Sequence, residues 1–335
     1  MRLFITVKIE PHPKNLYVAD PDIGYRNNPG FKWVFNSELG TGEVVINSQS
    51  LRDYKEYGTK DSLTYRILLL GDSQTFAGSI PFDSTYGKVL ERMLNKFYPD
   101  LQFQVLNAGA SGYSSANEAA FLEKFGPLLE PDLVIIGFYL NDILENEEGI
   151  TQKTVKDGYL ISENKHIIGN PFILPYWLKK FFRTHSHLYY YVTNKWDLLR
   201  GKFYAPFKET YNKEQPDFIR EDWKKTYTYL QTIKQWTKSG NVQLVIVYLP
   251  QADQVEDELW KGYLNNKENY ERTLPNKILA EFCEKEGILL FDAYPFFSDR
   301  QHETSLFGKL DRHYTIKGNE LVGQELFLFL DEHLF

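Results

Sequence analysis

Five short apolar runs stand out along the chain: RILLLG (66–71), QFQVLNA (102–108), DLVIIGFY (132–139), VQLVIVYLP (242–250) and ILLFDA (288–293). Each is nearly continuous rather than alternating, and rich in β-branched residues. That is the pattern of strands buried on both faces, as in a parallel sheet. Between them lie stretches with helical patterning, over 84–98, 115–129, 221–239 and 270–286, with a last one over 315–330. Strand alternating with helix predicts an α/β sandwich, a parallel sheet joined by right-handed crossovers.

Two regions fall outside this rhythm. Residues 1–62 contain FKWVF and GEVVINS, separated by Gly40 and Gly42, which predicts a hairpin packed on the core. The expected division is therefore an N-terminal extension over 1–62 and a main domain over 63–335. Residues 143–218 form a long insertion between the third and fourth strands. It opens with DGYLISENK, read as a hairpin around Glu163-Asn164. Further on, over 176–202, six Lys/Arg stand against one Asp among eight aromatics. Two amphipathic helices with their aromatic faces on the core, acting in part as a lid, are the preferred expectation. Contact with an acidic membrane surface is the less favoured reading of the same segment.

Composition narrows the classes. With 335 residues, 42% hydrophobic and 25% charged, there is ample material for a sizeable core. A net charge of -7 argues against nucleic acid as a partner. The single cysteine, Cys283, excludes an internal disulfide, and its apolar helical position reads as core packing. The opening MRLFITVKIEPHP has too short an apolar run for a signal peptide, and no segment approaches the ~20 apolar residues of a membrane span. The default expectation is a cytoplasmic protein; the alternative is an exported or anchored one whose leader is absent.

The chemistry sits at the strand ends. In an open parallel sheet, ligands bind beyond the carboxyl ends of the strands. The first strand ends in Gly71-Asp72-Ser73, the second in NAGASGYSS (107–115), the third in Asn141-Asp142, and LDRHYTIKGN brings Asp311 and His313 before the last helix. This is a set for acyl transfer. Ser73 is the candidate nucleophile, weak without a base. His313 is the candidate base, and Asp311 can orient its imidazole. The N–H of Ser73, the N–H of Gly112 and the side-chain amide of Asn141 can supply an oxyanion hole. Asp72 and Asp142 read as structural, bonding to nearby backbone. No Cys/His group has zinc spacing, and no phosphate loop or dinucleotide fingerprint is present, so neither metal nor cofactor is expected.

GDSQTF, NAGASG, Asn141-Asp142 and the Asp311/His313 pair, in this order and at these spacings, resemble the SGNH, or GDSL-type, hydrolase superfamily. The resemblance covers roughly 66–330, less the insertion. It implies a flavodoxin-like three-layer α/β/α sandwich with a five-stranded parallel sheet. It also implies Ser73 as nucleophile, Gly112 and Asn141 as oxyanion residues, and His313 as base. Two positions depart from the pattern: Gln74 replaces the usual leucine, and the usual Asp-x-x-His is shortened to Asp311-Arg312-His313. Asp-x-His followed by an aromatic and threonine is seen in carbohydrate-active branches. The stretch GYRNNPGF…INSQSLRDYKEYG looks like the N-terminal segment of large bacterial members, which often begin with a membrane anchor. The expected activity is hydrolysis of a small acyl ester, foremost an acetyl group on a carbohydrate. O-acyl transfer to a glycan and a lipid-directed esterase or thioesterase are the alternatives, and the expected partner is a small acyl-ester or glycan substrate.

Overall fold

The structure is a computed structural model describing residues 13–146, 149–151, 153–162, 205–263, 267–309 and 312–335. The central sheet has five strands: β5 (Thr64–Gly71), β6 (Gln102–Asn107), β7 (Leu133–Phe138), β10 (Gln243–Tyr248) and β11 (Leu289–Asp292). Their spatial order is β11-β10-β7-β5-β6, and every pairing is parallel. Counted within the sheet this is 2-1-3-4-5, the flavodoxin-like order.

The apolar runs are continuous because each strand feeds two cores. Ile67 and Leu69 of β5, Leu133 and Ile135 of β7, and Val245 and Val247 of β10 face one layer. That layer holds helices α2 (Tyr86–Phe97) and α7 (Ile316–His333), which pack on each other. Leu68, Leu70, Val134, Ile136, Ile246 and Tyr248 face the other layer. There α3 (Ser115–Leu129), α5 (Asp217–Ser239) and α6 (Leu274–Glu286) contribute Phe121, Leu122, Trp223, Leu230, Ile233 and Leu279. Cys283 of α6 lies in this same core, and burial pushes its thiol up to about 12.

Three helices begin where the periodicity did not place them. The stretch predicted from 84 is a short 3₁₀ turn, Phe82–Ser84, before α2 starts at Tyr86. α5 starts at Asp217, directly after Pro216, four positions before the predicted 221. α6 starts at Leu274 with Pro275 in its first turn, later than the predicted 270. Proline fixes φ and suits a helix start, so it outranks the apolar pattern at both sites.

The N-terminal segment forms two hairpins, β1 (Tyr17–Asp20) with β2 (Gly24–Asn27) and β3 (Lys32–Asn36) with β4 (Thr41–Val45). Their buried Tyr17, Tyr25, Phe35 and Val44 sit in the same apolar cluster as the α3-side core of the sheet. The insertion begins with a third hairpin, β8 (Lys153–Lys156) with β9 (Tyr159–Ser162). Its turn is Asp157-Gly158, both at positive φ, not Glu163-Asn164, which lies outside the described residues. Asp-Gly is a strong two-residue hairpin signal, because both central positions of this turn need positive φ. The hairpin lies against β1 and β2, and the Asn15 N–H donates to the Gly158 carbonyl at 2.7 Å. The predicted helices of 176–202 also lie outside the described residues. Among the described residues, no helix is long and apolar enough to cross a membrane.

Candidate active site

The site is built where β5 stops. Gly71 has φ 155°, and a Cβ there would meet Thr75 Oγ1 at 2.1 Å, so the strand can end this tightly only on glycine. Asp72 caps the short helix α1 (Ser73–Phe76), its Oδ1 accepting the Gln74 N–H at 2.8 Å. That cap turns Ser73 into the first helical position, half-buried at the sheet edge, while Gln74, Thr75 and Phe76 are buried.

The candidate base, His313, arrives from the other end of the chain. The Thr315 side chain caps α7, accepting the Gly318 N–H at 3.1 Å, and holds the preceding residues against α1. His313 Nε2 lies 2.9 Å from Ser73 Oγ. Next to it, the Tyr314 N–H donates to Gln74 Oε1 at 3.2 Å, and the Tyr314 hydroxyl donates to the Pro250 carbonyl at 2.7 Å. Gln74, the departure from the usual leucine, is thus a tie between α1, which carries Ser73, and the segment that carries His313. Asp311 lies outside the described residues. Its neighbour Arg312 has a positive φ of 62° and donates from Nη1 to Glu256 Oε2 at 3.2 Å.

The two remaining strand ends flank Ser73, since β6 and β7 pair with β5 on either side. Asn107, at the end of β6, donates from Nδ2 to the Thr75 carbonyl at 2.8 Å. Gly112 follows in the loop at φ 78°. Asn141 opens the one-turn helix α4 (Asn141–Leu144) after β7, and its Nδ2 donates to the Tyr113 carbonyl at 3.3 Å and to Glu145 Oε2 at 3.2 Å. Asp142 acts on its surroundings as a structural group, accepting the Tyr139 N–H at 2.9 Å and the Ser115 hydroxyl at 3.1 Å.

An ion pair that the sequence pattern did not single out lies on this edge. Lys153 of β8 donates from Nζ to Glu145 Oε2 at 2.7 Å and to the Gly112 carbonyl at 2.8 Å. It packs so closely that a Cβ on Gly112 would lie 2.3 Å from Nζ. A lone lysine in a KTVK strand carries no motif. Only its contact across 41 residues identifies it.

Burial sets the charges beneath the site. The Asp72 carboxyl is pushed up to about 6, chiefly by burial and against the opposing pull of the Gln74 N–H and of His313. Glu118 and Asp142, both fully buried, are pushed well above the carboxylate range by burial and by the acidic groups around them.

Beside Ser73 lies a narrow cleft of about 60 Å³. Trp33 and Leu39 of the N-terminal segment, Ile80, Ser111 and His313 line it. Gly112 and Asn141 are not among its lining residues and lie instead under Lys153 and Glu145. Arg52 fixes the far wall. Fully buried, it donates to the carbonyls of Phe76 (2.5 Å), Ala77 (2.6 Å) and Ile80 (2.7 Å), and burial lowers its pKa to about 10. Among the described residues, no group of three or more His, Cys, Asp or Glu side chains is gathered to hold a metal ion.

Sheet order 2-1-3-4-5, serine after the first strand, glycine after the second, asparagine after the third and histidine before the last helix now stand together. This is the flavodoxin-like α/β/α fold, with the candidate residues gathered at one edge of its sheet. No family model matches the sequence, and no curated protein does. Solved structures of similar fold include an acetyl xylan esterase, AlAXEase. It is 14% identical, over 79% of this chain and 99% of its own, with a TM-score of 0.47. A two-domain esterase active on acetylated mannans is 14% identical over 80% of this chain and 49% of its own, with a TM-score of 0.46. A member of the lipolytic G-D-S-L family from Veillonella parvula is 13% identical over 81% of this chain and 100% of its own, with a TM-score of 0.45. The likeness is one of backbone path, and the roles of the residues rest on their own geometry.

Proposed function

We propose that this protein is a serine esterase that cleaves a small acyl ester through an acyl-enzyme, with an acetyl group on a carbohydrate as its preferred substrate. The observation that carries the reading is the 2.9 Å approach of His313 Nε2 to Ser73 Oγ at the carboxyl edge of a parallel sheet. Nucleophile and base within hydrogen-bond reach are the geometric requirement of this chemistry.

In this reading, Ser73 Oγ attacks the ester carbonyl carbon as its proton passes to His313 Nε2. The carbonyl π electrons move to oxygen, and the oxyanion is received by the N–H groups of Ser73 and Gly112 and by the Asn141 amide. Collapse re-forms the carbonyl and breaks the bond to the alcohol oxygen, which takes the proton from His313. Water then adds to the acyl-enzyme by the same route, giving its proton to His313, and Ser73 leaves with that proton as the acid is released. Asp311 has the role of orienting the imidazole. No step calls for a cofactor.

The narrow cleft favours a short acyl group, and Trp33 among its lining residues supplies an aromatic ring of the kind that packs on sugars. The test is hydrolysis of p-nitrophenyl esters from two to twelve carbons, then acetate release from acetylated xylan and mannan, with Ser73→Ala as control. Turnover that is highest on acetate and lost in the variant supports the reading. A rate rising with chain length transfers it to lipid esters. Turnover unchanged in the variant removes it.

A further inference from the structure

The Glu145–Lys153 pair touches both of the non-nucleophile residues assigned to the oxyanion hole. Glu145 Oε2 accepts from Asn141 Nδ2 at 3.2 Å, and Lys153 Nζ reaches that same Oε2 at 2.7 Å and the Gly112 carbonyl at 2.8 Å. The pair is only partly open to solvent, with 13% of the Lys153 side chain and 25% of the Glu145 side chain exposed. Its two halves come from different parts of the chain, Glu145 from the end of α4 and Lys153 from the first strand of the insertion hairpin.

A carboxylate on the oxyanion donor is a liability by itself. A primary amide has two hydrogens set about 120° apart, so two acceptors on one such nitrogen lie roughly 5 Å from each other. An oxyanion received by Asn141 would therefore form within roughly 5 Å of the Glu145 carboxylate, where like charges in a partly dry site repel strongly. Both Asn141 hydrogens are engaged at rest, one by Glu145 and one by the Tyr113 carbonyl at 3.3 Å. The neutral, longer partner is the one an oxyanion would replace, which leaves Glu145 in place beside it.

We propose that Lys153 is a positioning residue for the oxyanion hole: it cancels the Glu145 charge beside Asn141 and pins the carbonyl of the Gly112–Tyr113 peptide, the one that directly follows the peptide carrying the Gly112 N–H. The insertion hairpin is thereby part of the catalytic apparatus. Its attachment to the N-terminal hairpins, through the Gly158 carbonyl and the packing of β8 on β1 and β2, serves to hold one ammonium group in register. This inference rests on the serine esterase reading above.

The test is a double-variant cycle on short-chain ester hydrolysis: Lys153→Met, Glu145→Gln, and both together, with Lys153→Arg as the charge-conserving control. Urea unfolding of each variant shows that the fold is kept. Lys153→Met leaves an uncompensated carboxylate at the hole, and kcat falls on the order of 10–100-fold with KM nearly unchanged. Adding Glu145→Gln removes that carboxylate and restores at least about tenfold of the loss, a coupling of opposite sign to mere scaffold damage. Lys153→Arg retains more turnover than Lys153→Met. A double variant as slow as, or slower than, Lys153→Met overturns the proposal, as does a loss confined to KM. Absence of Ser73-dependent turnover in the wild type overturns the esterase reading itself, and this inference with it.

Discussion

His313 Nε2 and Ser73 Oγ meet at 2.9 Å across 240 positions of chain, with the imidazole brought to the serine by the capped start of the last helix. In the proposed mechanism, this contact lets the hydroxyl give up its proton as it attacks. Residues that act as such a unit do not contribute additively. Ser73→Ala and His313→Ala are each expected to lower kcat on the order of 10³–10⁶, and the double variant little further. Ser73 is also expected to react with a fluorophosphonate in the wild type and far more slowly in His313→Ala. Labelling at equal rates in the two proteins would remove His313 from its role.

Gln74 gives the departure from the usual leucine a physical meaning. Its Oε1 accepts the buried Tyr314 N–H at 3.2 Å, and Tyr314 follows the base directly. Gln74→Leu leaves that N–H without its acceptor inside the protein. The expected cost is about 1–2 kcal/mol of stability, read by urea unfolding, with a fall in kcat and little change in KM. A Gln74→Leu protein of unchanged stability and turnover would show that the tie is incidental.

How far the sequence could be read follows from what each residue depends on. Strands β5, β7 and β10 announce themselves because burial on both faces leaves a run of apolar positions uninterrupted by polar ones, Ile67–Leu70, Leu133–Ile136 and Leu244–Val247. Ser73, Gly112, Asn141 and His313 are visible because they stand at ends of elements already located, each in a small polar cluster. Helix starts were displaced because Pro216 and Pro275 set them, not the apolar repeat. The insertion hairpin turns at Asp157-Gly158, where the chain takes positive φ twice, and the expected turn at Glu163-Asn164 lies outside the described residues. Arg52, Glu145 and Lys153 could not be found at all. Each is a single charged residue with at least one partner in another segment, and no local pattern records such a contact.

Arg52 is the clearest case of a residue with no sequence signal and a large predicted effect. It is fully buried, stacked over the rings of Phe76 and Phe82, and bonded to three carbonyls that close the loop behind Ser73. Arg52→Met keeps much of the volume and removes every donor. The carbonyls of Phe76, Ala77 and Ile80 then lose these donors, and a loss of about 2–4 kcal/mol is expected. Turnover should fall as well, because Phe76 and Ala77 complete the turn that presents Ser73. A wild-type urea midpoint in Arg52→Met would show that water replaces the guanidinium at no cost.

Asp253 supplies a pH prediction with a defined sign. It sits buried in the short helix Ala252–Val255 just beyond β10. Burial pushes its pKa from 3.8 up to about 7, and the backbone N–H groups of Asp253 and Gln254, with the charge of Arg312, oppose only part of that rise. The folded state thus favours the protonated acid. Below about pH 4 the group is neutral in both folded and unfolded chains and costs nothing. As pH rises from about 4 to about 7, the unfolded chain ionises and the folded one resists, so stability is lost; above about 7 the full cost is present, on the order of 4 kcal/mol at most. Asp253→Asn imitates the neutral acid at every pH. It is expected to be more stable than wild type at pH 8, by an amount that shrinks towards zero at pH 4, in urea unfolding measured across that range. A difference between the two proteins that stays constant with pH would mean that the carboxyl ionises in the folded state as readily as in water.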